Sequence, residues 1–449
     1  MDVRRRILNG SYKTSTGGSG SMDNYLTIEA LEDGLTASLS FNACEYCIDG
    51  DGVWNKLSSS SATPSINTGQ IISFRGNLTP TSSNGIGTFT ISKKCNLKGN
   101  CMSMLFGDNA ANNYSLSGYN YAFYRLFYNS SNIIEVSTNF LPATTLADTC
   151  YSNMFFGCSS LTTAPELPAT KLAAGCYVSM FRGCSSLTTT PELPATTLAD
   201  TCYSNMFYNC TSITTAPELP SITLKSNCYY YMFYGCSKLT IAPELPATTL
   251  TYQCYSYMFQ YCSSLTTAPE LPATTLDKYC YYYMFNGCSS LTTAPELPAT
   301  TLASDCYSQM FRGCSSLTTV PELPATTLAN YCYNSMFYGC SKLTTAPELP
   351  ATTLATYCYY SMFYNCKSLT TSPELPSITL KSNCYSQMFY GCSKLNYIKA
   401  MFTTTPSSSY TKNWVKGVSS TGTFVKNKDA TWDVTDDNSI PSGWTVQTA

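Results

Sequence analysis

Apolar and polar positions along most of this chain repeat in a fixed register. The Met-Phe pair recurs at Met154, Met180, Met206, Met232, Met258, Met284, Met310, Met336, Met362 and Met388, a spacing of 26 with no insertion, which is solenoid spacing. Counting the first cysteine of "CYSNMFFGC" (Cys150 to Cys158) as zero, positions 0 (Cys), +1 (Tyr), +4 (Met), +5 (Phe) and +8 (Cys) are near-constant, while −1, +2, +3 and +6 change freely. At about 100° per residue the constant set falls on one side of a helix and the variable set on the other. The pattern therefore predicts a helix of about two turns. Good N-caps at −2 (Asp148, Asp200, Ser226, Ser304, Asn330, Thr356, Ser382) and Gly or Asn at +7 (Gly157, Gly183, Asn209, Gly235, Gly287, Asn365) agree with it. The following "CSSLTTAPEL" reads as a short strand, ended by a proline such as Pro165 that lacks a ladder donor.

One short strand and one short helix per turn make an α/β solenoid of leucine-rich-repeat architecture. With strands about 4.8 Å apart, ten turns would extend roughly 50 Å. An atypical first unit, "AFYRLFYNS" at Ala122 to Ser130, lies two residues out of period and replaces both cysteines with small residues, as a capping repeat would. The predicted organisation is a basic leader and Gly/Ser linker at 1–22, a small all-β sandwich at 23–108, a solenoid of about eleven turns at 119–398, and a C-terminal β cap at 399–449. Period-2 runs such as "YLTIEAL", "QIISFRG" and "IGTFTIS" carry the sandwich reading.

The repeat text "MFxGCSSLTTAPELPATTLADTCYSxMF" resembles the BspA-like leucine-rich-repeat surface proteins of gut and oral bacteria, whose units read close to "MFxGCSSLTSLDLSNFDTSNVTNMSSMF". The likeness covers about residues 122–398 and departs from the family in its Pro-Glu and Cys-Tyr pairs. The end modules, "NGIGTFTISKK...NCMSMLFGD" and "GTFVKN...WDV...IPSGWTV", look like those attached to such repeats in gut Bacteroidales and their (crAss-like) phages. The resemblance implies adhesion or recognition at a surface and no catalysis.

Composition narrows the function classes. The chain has 25 basic and 27 acidic side chains, so no polyanion-binding field is expected and nucleic acid is not an expected partner. It has no histidine, which removes Ser-His-Asp and Cys-His catalysis and HExxH zinc sites. No apolar run follows the arginines at 4–6 as in a secretory signal, and no window reaches transmembrane length, so membrane insertion is not expected. The 24 cysteines are then expected to begin as thiols in a reducing cytoplasm.

Each candidate chemistry has a plain alternative. On a regular helix Cys150 and Cys158 would lie eight rises of ~1.5 Å apart, beyond bridging distance, so free thiols acting as small hydrophobes are favoured over disulfides or metal. Cys44, Cys47, Cys95 and Cys101 make a loose zinc pattern whose alternative is a packed core or one or two disulfides. "DGDG" at Asp49 to Gly52 is read as a hairpin turn before a calcium loop, because the bidentate Glu is missing. A ladder of nine glutamates, Glu166 to Glu374, one per turn, looks architectural: solvation, local hydrogen bonds or a divalent cation would offset the repulsion.

The variable face carries the strongest expectation of function. Tyr230, Tyr231, Tyr234, Tyr257, Tyr279, Tyr282, Tyr283, Tyr331, Tyr357 and Tyr360, with Arg182 and Arg312 and further Tyr338, Tyr364 and Tyr390, stand among Ser, Asn and Gln. That is binding-surface composition. The expected ligand is a host-surface or mucin glycan or protein; the alternative is that the rings pack on one another or on sister subunits. No cofactor is expected. The function expected is a non-enzymatic phage virion fibre or decoration protein, with other virion proteins held through the N-terminal region, or else a bacterial cell-surface adhesin.

Overall fold

The computed structural model describes residues 22–219 and 223–449, so the leader and linker expected at 1–22 fall almost wholly outside the described residues. The N-terminal part alternates apolar and polar residues, as half-buried strands require. Its main sheet runs in the order β4 (Asn55–Leu57), β3 (Cys44–Ile48), β5 (Ile71–Arg75), β1 (Leu26–Ala30), β7 (Cys95–Lys98), β8 (Ile133–Val136). A second sheet pairs β2 (Ala37–Leu39) with β6 (Phe89–Ile91). Phe74 of β5 meets Phe89 of β6 edge-on at 4.9 Å, so the two sheets share one core. β8 belongs to the first solenoid turn and pairs in parallel with β7, while its Glu135 bridges Thr163 of the next turn. Sheet and core therefore run without a break from this part into the repeats.

The repeats hold no α-helix among the described residues, only a single 3-10 turn at Thr138–Phe140, which corrects the expected two-turn helix. In its place each "CYSNMFFGC" is a run of linked tight turns. Residues at −1, +3 and +7 take positive φ, for example Thr149 (59°), Asn153 (56°) and Gly157 (71°). Even-numbered amides close turns on the carbonyl three residues back, as Ser152 does on Thr149, Met154 on Tyr151 and Phe156 on Asn153. Odd-numbered amides instead donate to the next repeat: Tyr151 to Cys176, Asn153 to Val178, Phe155 to Met180 and Gly157 to Arg182. All backbone donors of the segment are thus satisfied, half within the repeat and half across it. The expected N-caps act across repeats too, since the Asp148, Asp200 and Asn330 side chains accept from the amides of Ala174, Ser226 and Thr356, 26 residues on.

The inward positions are those the pattern predicts. Cys, Tyr, Met, Phe and Cys at 0, +1, +4, +5 and +8 are buried in every copy. Successive +1 tyrosines stack at 5.7 to 5.9 Å from Tyr151 to Tyr385. The +5 phenylalanines stack at 5.6 to 5.8 Å from Phe127 to Phe389, with planes within 9°, within the range of favourable offset stacking. Phe89 of the N-terminal part heads the second column by stacking on Phe127. The first unit, Ala122 to Ser130, carries the same turns, with Tyr121, Arg125 and Asn129 at positive φ.

The expected strand is reduced to single parallel bridges, such as Thr163 to Thr189 and Thr267 to Thr293 to Thr319. The proline two residues on removes the donor that would extend them. Only near the end does pairing lengthen, into the parallel sheet β9 (Thr371–Leu375), β10 (Tyr397–Ala400), β11 (Thr423–Lys426) and β12 (Thr445–Thr448). The tail from 399 continues the solenoid. Gln387 and Phe389 donate to Lys412 and Trp414, and Asn413 and Gly417 take the positive φ of +3 and +7. Trp414 is fully buried at the end of both ring columns and donates its indole N–H to Ser439 O at 2.9 Å.

Candidate functional site

The turn ladder decides which side chains face outward together. With a repeat of four residues per double turn, 0, +1, +4, +5 and +8 point in, and −1, +2, +3 and +6 form parallel columns on the outer face. The predicted tyrosines occupy these columns. In the +3 column Tyr231 stacks on Tyr257 at 4.2 Å and Tyr257 on Tyr283 at 5.0 Å. The +2 rings Tyr230 and Tyr282 stand edge-on to them, at 4.4 Å to Tyr231 and 4.5 Å to Tyr283. Tyr234 stacks on Tyr208 at 4.3 Å in the +6 column, and Tyr279 meets Tyr282 edge-on at 5.4 Å. A second group joins Tyr331 to Tyr357 (4.8 Å) and Tyr357 to Tyr360 (5.4 Å), with Tyr338, Tyr364 and Tyr390 stacked beside it at 4.4 and 4.6 Å.

The arginines belong to the same stacks. Arg182 lies over Tyr208 at 4.0 Å and Phe156 at 5.5 Å, taking the rung between two rings in the +6 column. Arg312 lies over Tyr338 at 4.2 Å and donates to Gln309 at 2.9 Å. Both are cation–π contacts of ordinary length. The rings do pack on one another, as the plain alternative held, yet they stay half-exposed and present an aromatic relief to solvent.

Seven of the outer tyrosines, Tyr231, Tyr257, Tyr261, Tyr279, Tyr283, Tyr331 and Tyr357, have φ between 55° and 61°. Bulky residues rarely adopt this conformation, and the same positions in other copies carry Gly and Asn beside Ser, Thr, Gln and Asp. Such strain concentrates at functional sites. Residues that the composition-based reading passed over complete the face: Tyr208, Tyr252, Tyr261 and Asp305. Tyr261 is 49% exposed and Tyr252 40%. Asp305, at −1 between Tyr279 and Tyr331, is half-buried, and that burial pushes its carboxyl up to about 6 against a bond from Tyr279.

The other candidates resolve differently. The zinc pattern is not assembled. Cys44 and Cys47, three apart on β3, point to opposite faces; β5 and β1 separate that strand from Cys95 on β7, about 14 Å away at ordinary strand spacing. Cys47 donates to Asp51 at 3.2 Å, and Cys101 lies in the core beside Tyr151. Asp49 and Asp51 tie the β3–β4 turn through Ile71 N (2.9 Å), Gln70 (2.6 Å) and Val53 N (2.8 Å). The glutamates of the ladder are exposed beside shallow grooves of about 400 to 500 Å³ between Pro-Glu-Leu-Pro ridges, and Glu374 pairs with Lys399 at 2.9 Å.

The repeat cysteines do more than fill space. Every thiol at +8, from Cys158 to Cys392, donates at 3.0 to 3.2 Å to the +5 phenylalanine carbonyl of the preceding repeat. Ser130, the small residue that replaces this cysteine in the first unit, makes the same bond to Phe89 O at 3.4 Å. Burial raises the thiol pKa, to about 12 for Cys150 and Cys236, which holds the proton needed for donation. All 24 cysteines are free and buried, although the helical spacing that argued against bridging is absent.

A parallel solenoid of short stacked turns with an outward aromatic face defines a repeat scaffold for recognition. The model of the BspA type leucine-rich repeat region matches residues 117–239, 149–292, 204–344 and 304–413, more than half of the chain, and the chain belongs to that family. Among solved structures, that of a TLR13–ssRNA13 complex aligns at 12% identity over 68% of this chain and 48% of that one, with a TM-score of 0.26; this chain spans about half the length of that one. Among curated proteins, none matches. No helix among the described residues is long and apolar enough to cross a membrane.

Proposed function

We propose that the protein is a non-enzymatic recognition protein at a surface, and that its outer tyrosine columns are the contact. The observation that carries this reading is the contrast between the faces of one turn. The inner positions are the same in every copy, while the outer ones hold strained, half-exposed tyrosines in two connected groups. Rings held in place by their neighbours lose little entropy when a ligand covers them. The finer reading places the protein on a phage particle, as a fibre or decoration protein whose ligand is a host-surface or mucin glycan or protein. It rests on the resemblance of the end modules; a cell-surface adhesin is the second reading.

Two experiments test this. Fractionation finds the protein in purified particles under the first reading and in cell envelopes under the second. Binding of the full chain to a glycan array and to host envelope proteins is compared with that of Tyr282→Ala/Tyr283→Ala. The expected result is loss of binding with unchanged circular dichroism, and full retention would remove this face as the contact.

A further inference from the structure

The −1 column contains one break in its run of rings. From Tyr279 the column continues with Asp305, then Tyr331 and Tyr357. Tyr331 and Tyr357 stack with a step of 4.8 Å, so Tyr279 and Tyr331, two rungs apart, stand about 10 Å from each other. Aspartate is far shorter than tyrosine. Its carboxylate therefore forms the floor of a notch walled by Tyr279 and Tyr331, with Tyr282 beside it, all three within its electrostatic reach. No basic side chain pairs with Asp305 among the described residues; the half-buried carboxyl is hydrogen-bonded by the Tyr279 hydroxyl, a neutral group. A half-buried carboxylate with a hydrogen bond but no cation beside it would gain from a positively charged partner.

The protein itself shows what fits such a rung. In the +6 column Arg182 lies between Phe156 and Tyr208, its guanidinium over both rings. A flat cation placed midway in the Asp305 notch would lie about 5 Å from each flanking ring, inside the ~6 Å reach of cation–π attraction, and above a carboxylate that can accept from its N–H groups. We propose that this notch receives the guanidinium of an arginine side chain on a partner protein, flat between Tyr279 and Tyr331 and paired with Asp305. The inference rests on the recognition reading above and names the chemistry of one contact within it.

The test titrates the full chain with N-acetyl-arginine methylamide, its uncharged citrulline counterpart and methyl α-glucoside, following binding by calorimetry at pH 7.5. The arginine probe is expected to saturate one site, and the citrulline probe to bind at least about tenfold more weakly. Asp305→Asn should weaken the arginine probe by a similar factor, and Asp305→Tyr, which completes the ring column, should abolish binding. Asp277→Asn, an exposed acid nearby, should leave it unchanged. Equal binding of the citrulline probe, an unaltered affinity in Asp305→Asn, or saturable glucoside binding lost in Asp305→Tyr would each overturn the proposal. If Tyr282→Ala/Tyr283→Ala loses the natural ligand while Asp305→Asn keeps it, the notch fails and the face stands; if the tyrosine pair is neutral, the face fails first.

Discussion

The turn ladder makes a prediction opposite in sign to that of a helix, and Gln253 is the place to measure it. Gln253 occupies a −1 position with φ of 52°; its amide donates to Lys278 and its carbonyl accepts from Ser256. Both backbone bonds survive any substitution there that keeps the conformation. Left-handed backbone costs a side-chain-bearing residue roughly 1–2 kcal/mol, and glycine gives back about 0.5–1 kcal/mol through its freer unfolded state. Gln253→Gly should therefore stabilise by about 0.5–1 kcal/mol, with Gln253→Asn in the same direction and Gln253→Ala near zero. In a helix the glycine would cost about 1 kcal/mol and the alanine would be favourable. Asn334→Gly, at a right-handed +2 position, should destabilise by about 0.5–1 kcal/mol in either case and calibrates the scale. Urea unfolding of the full chain followed by circular dichroism supplies the shifts. Amide exchange around Gln253 guards against unfolding in parts, which stacked repeats permit. A destabilised Gln253→Gly beside a stabilised Gln253→Ala would refute the linked-turn backbone.

Further outcomes follow from the packing. Cys262→Ala should cost about 1 kcal/mol through the small void and the lost thiol bond to the Phe233 carbonyl, which keeps its bond from the Cys236 amide, whereas Cys262→Ser should recover part of it by the bond Ser130 makes in the first unit; urea midpoints separate the two. An aromatic disulfide reagent should titrate few thiols in the native chain and all 24 after denaturation under non-reducing conditions, and a native titration of most thiols would contradict the buried columns. Asp305 has a folded pKa raised from 3.8 to about 6, with the hydroxyls of Tyr279, Tyr282 and Tyr331 as the ionisable groups facing it. The folded state then holds its proton more tightly than the unfolded one, so stability should fall as pH rises from about 4 to about 6. The full difference corresponds to about 3 kcal/mol, which solvent access at this half-buried site lowers to about 1–2; Asp305→Asn should be more stable than the parent above pH 6 and lose that dependence. Trp414→Ala, which opens the end of both ring columns, should cost about 3–5 kcal/mol and lower the thermal midpoint.

Much of the solenoid was legible because its period of 26 and its inward set at 0, +1, +4, +5 and +8 are written in residue identity. The backbone between those positions was not, because four residues per repeat of turns and 3.6 per helical turn place the same five residues on one side over so short a run. A discriminating cue was present at −1 and +3. Gly175, Asn153, Asn205, Asn227 and Asn383 fall in step with the Gly and Asn of +7, every fourth residue, as positive φ requires and a helix interior disfavours. The aspartates at −2 look like caps because capping and cross-repeat bonding use the same acceptor. The tail looked like a separate cap because its bridging text changed, although Asn413, Trp414 and Gly417 keep the register. Of the candidate face, the tyrosines and arginines followed from composition. Asp305 did not, because an acid in a variable column stands out only once its ring neighbours are known. The thiol bonds were hidden by treating cysteine as a small hydrophobe; Ser130 at the same position was the clue.

Within the turn runs of the copies from Cys150 to Cys366, every cross-repeat amide bond joins a residue to the one 25 places ahead, and the pattern is the same from copy to copy. A copy removed or inserted whole would leave each remaining donor opposite an equivalent acceptor, and both ring columns would close over the join. Length is therefore a trait this molecule can change in single steps of one rung without relearning how to fold. Each added rung also brings four new outer side chains, so a lineage could alter the extent and lettering of its contact surface faster than point substitution allows, while the interior stays fixed.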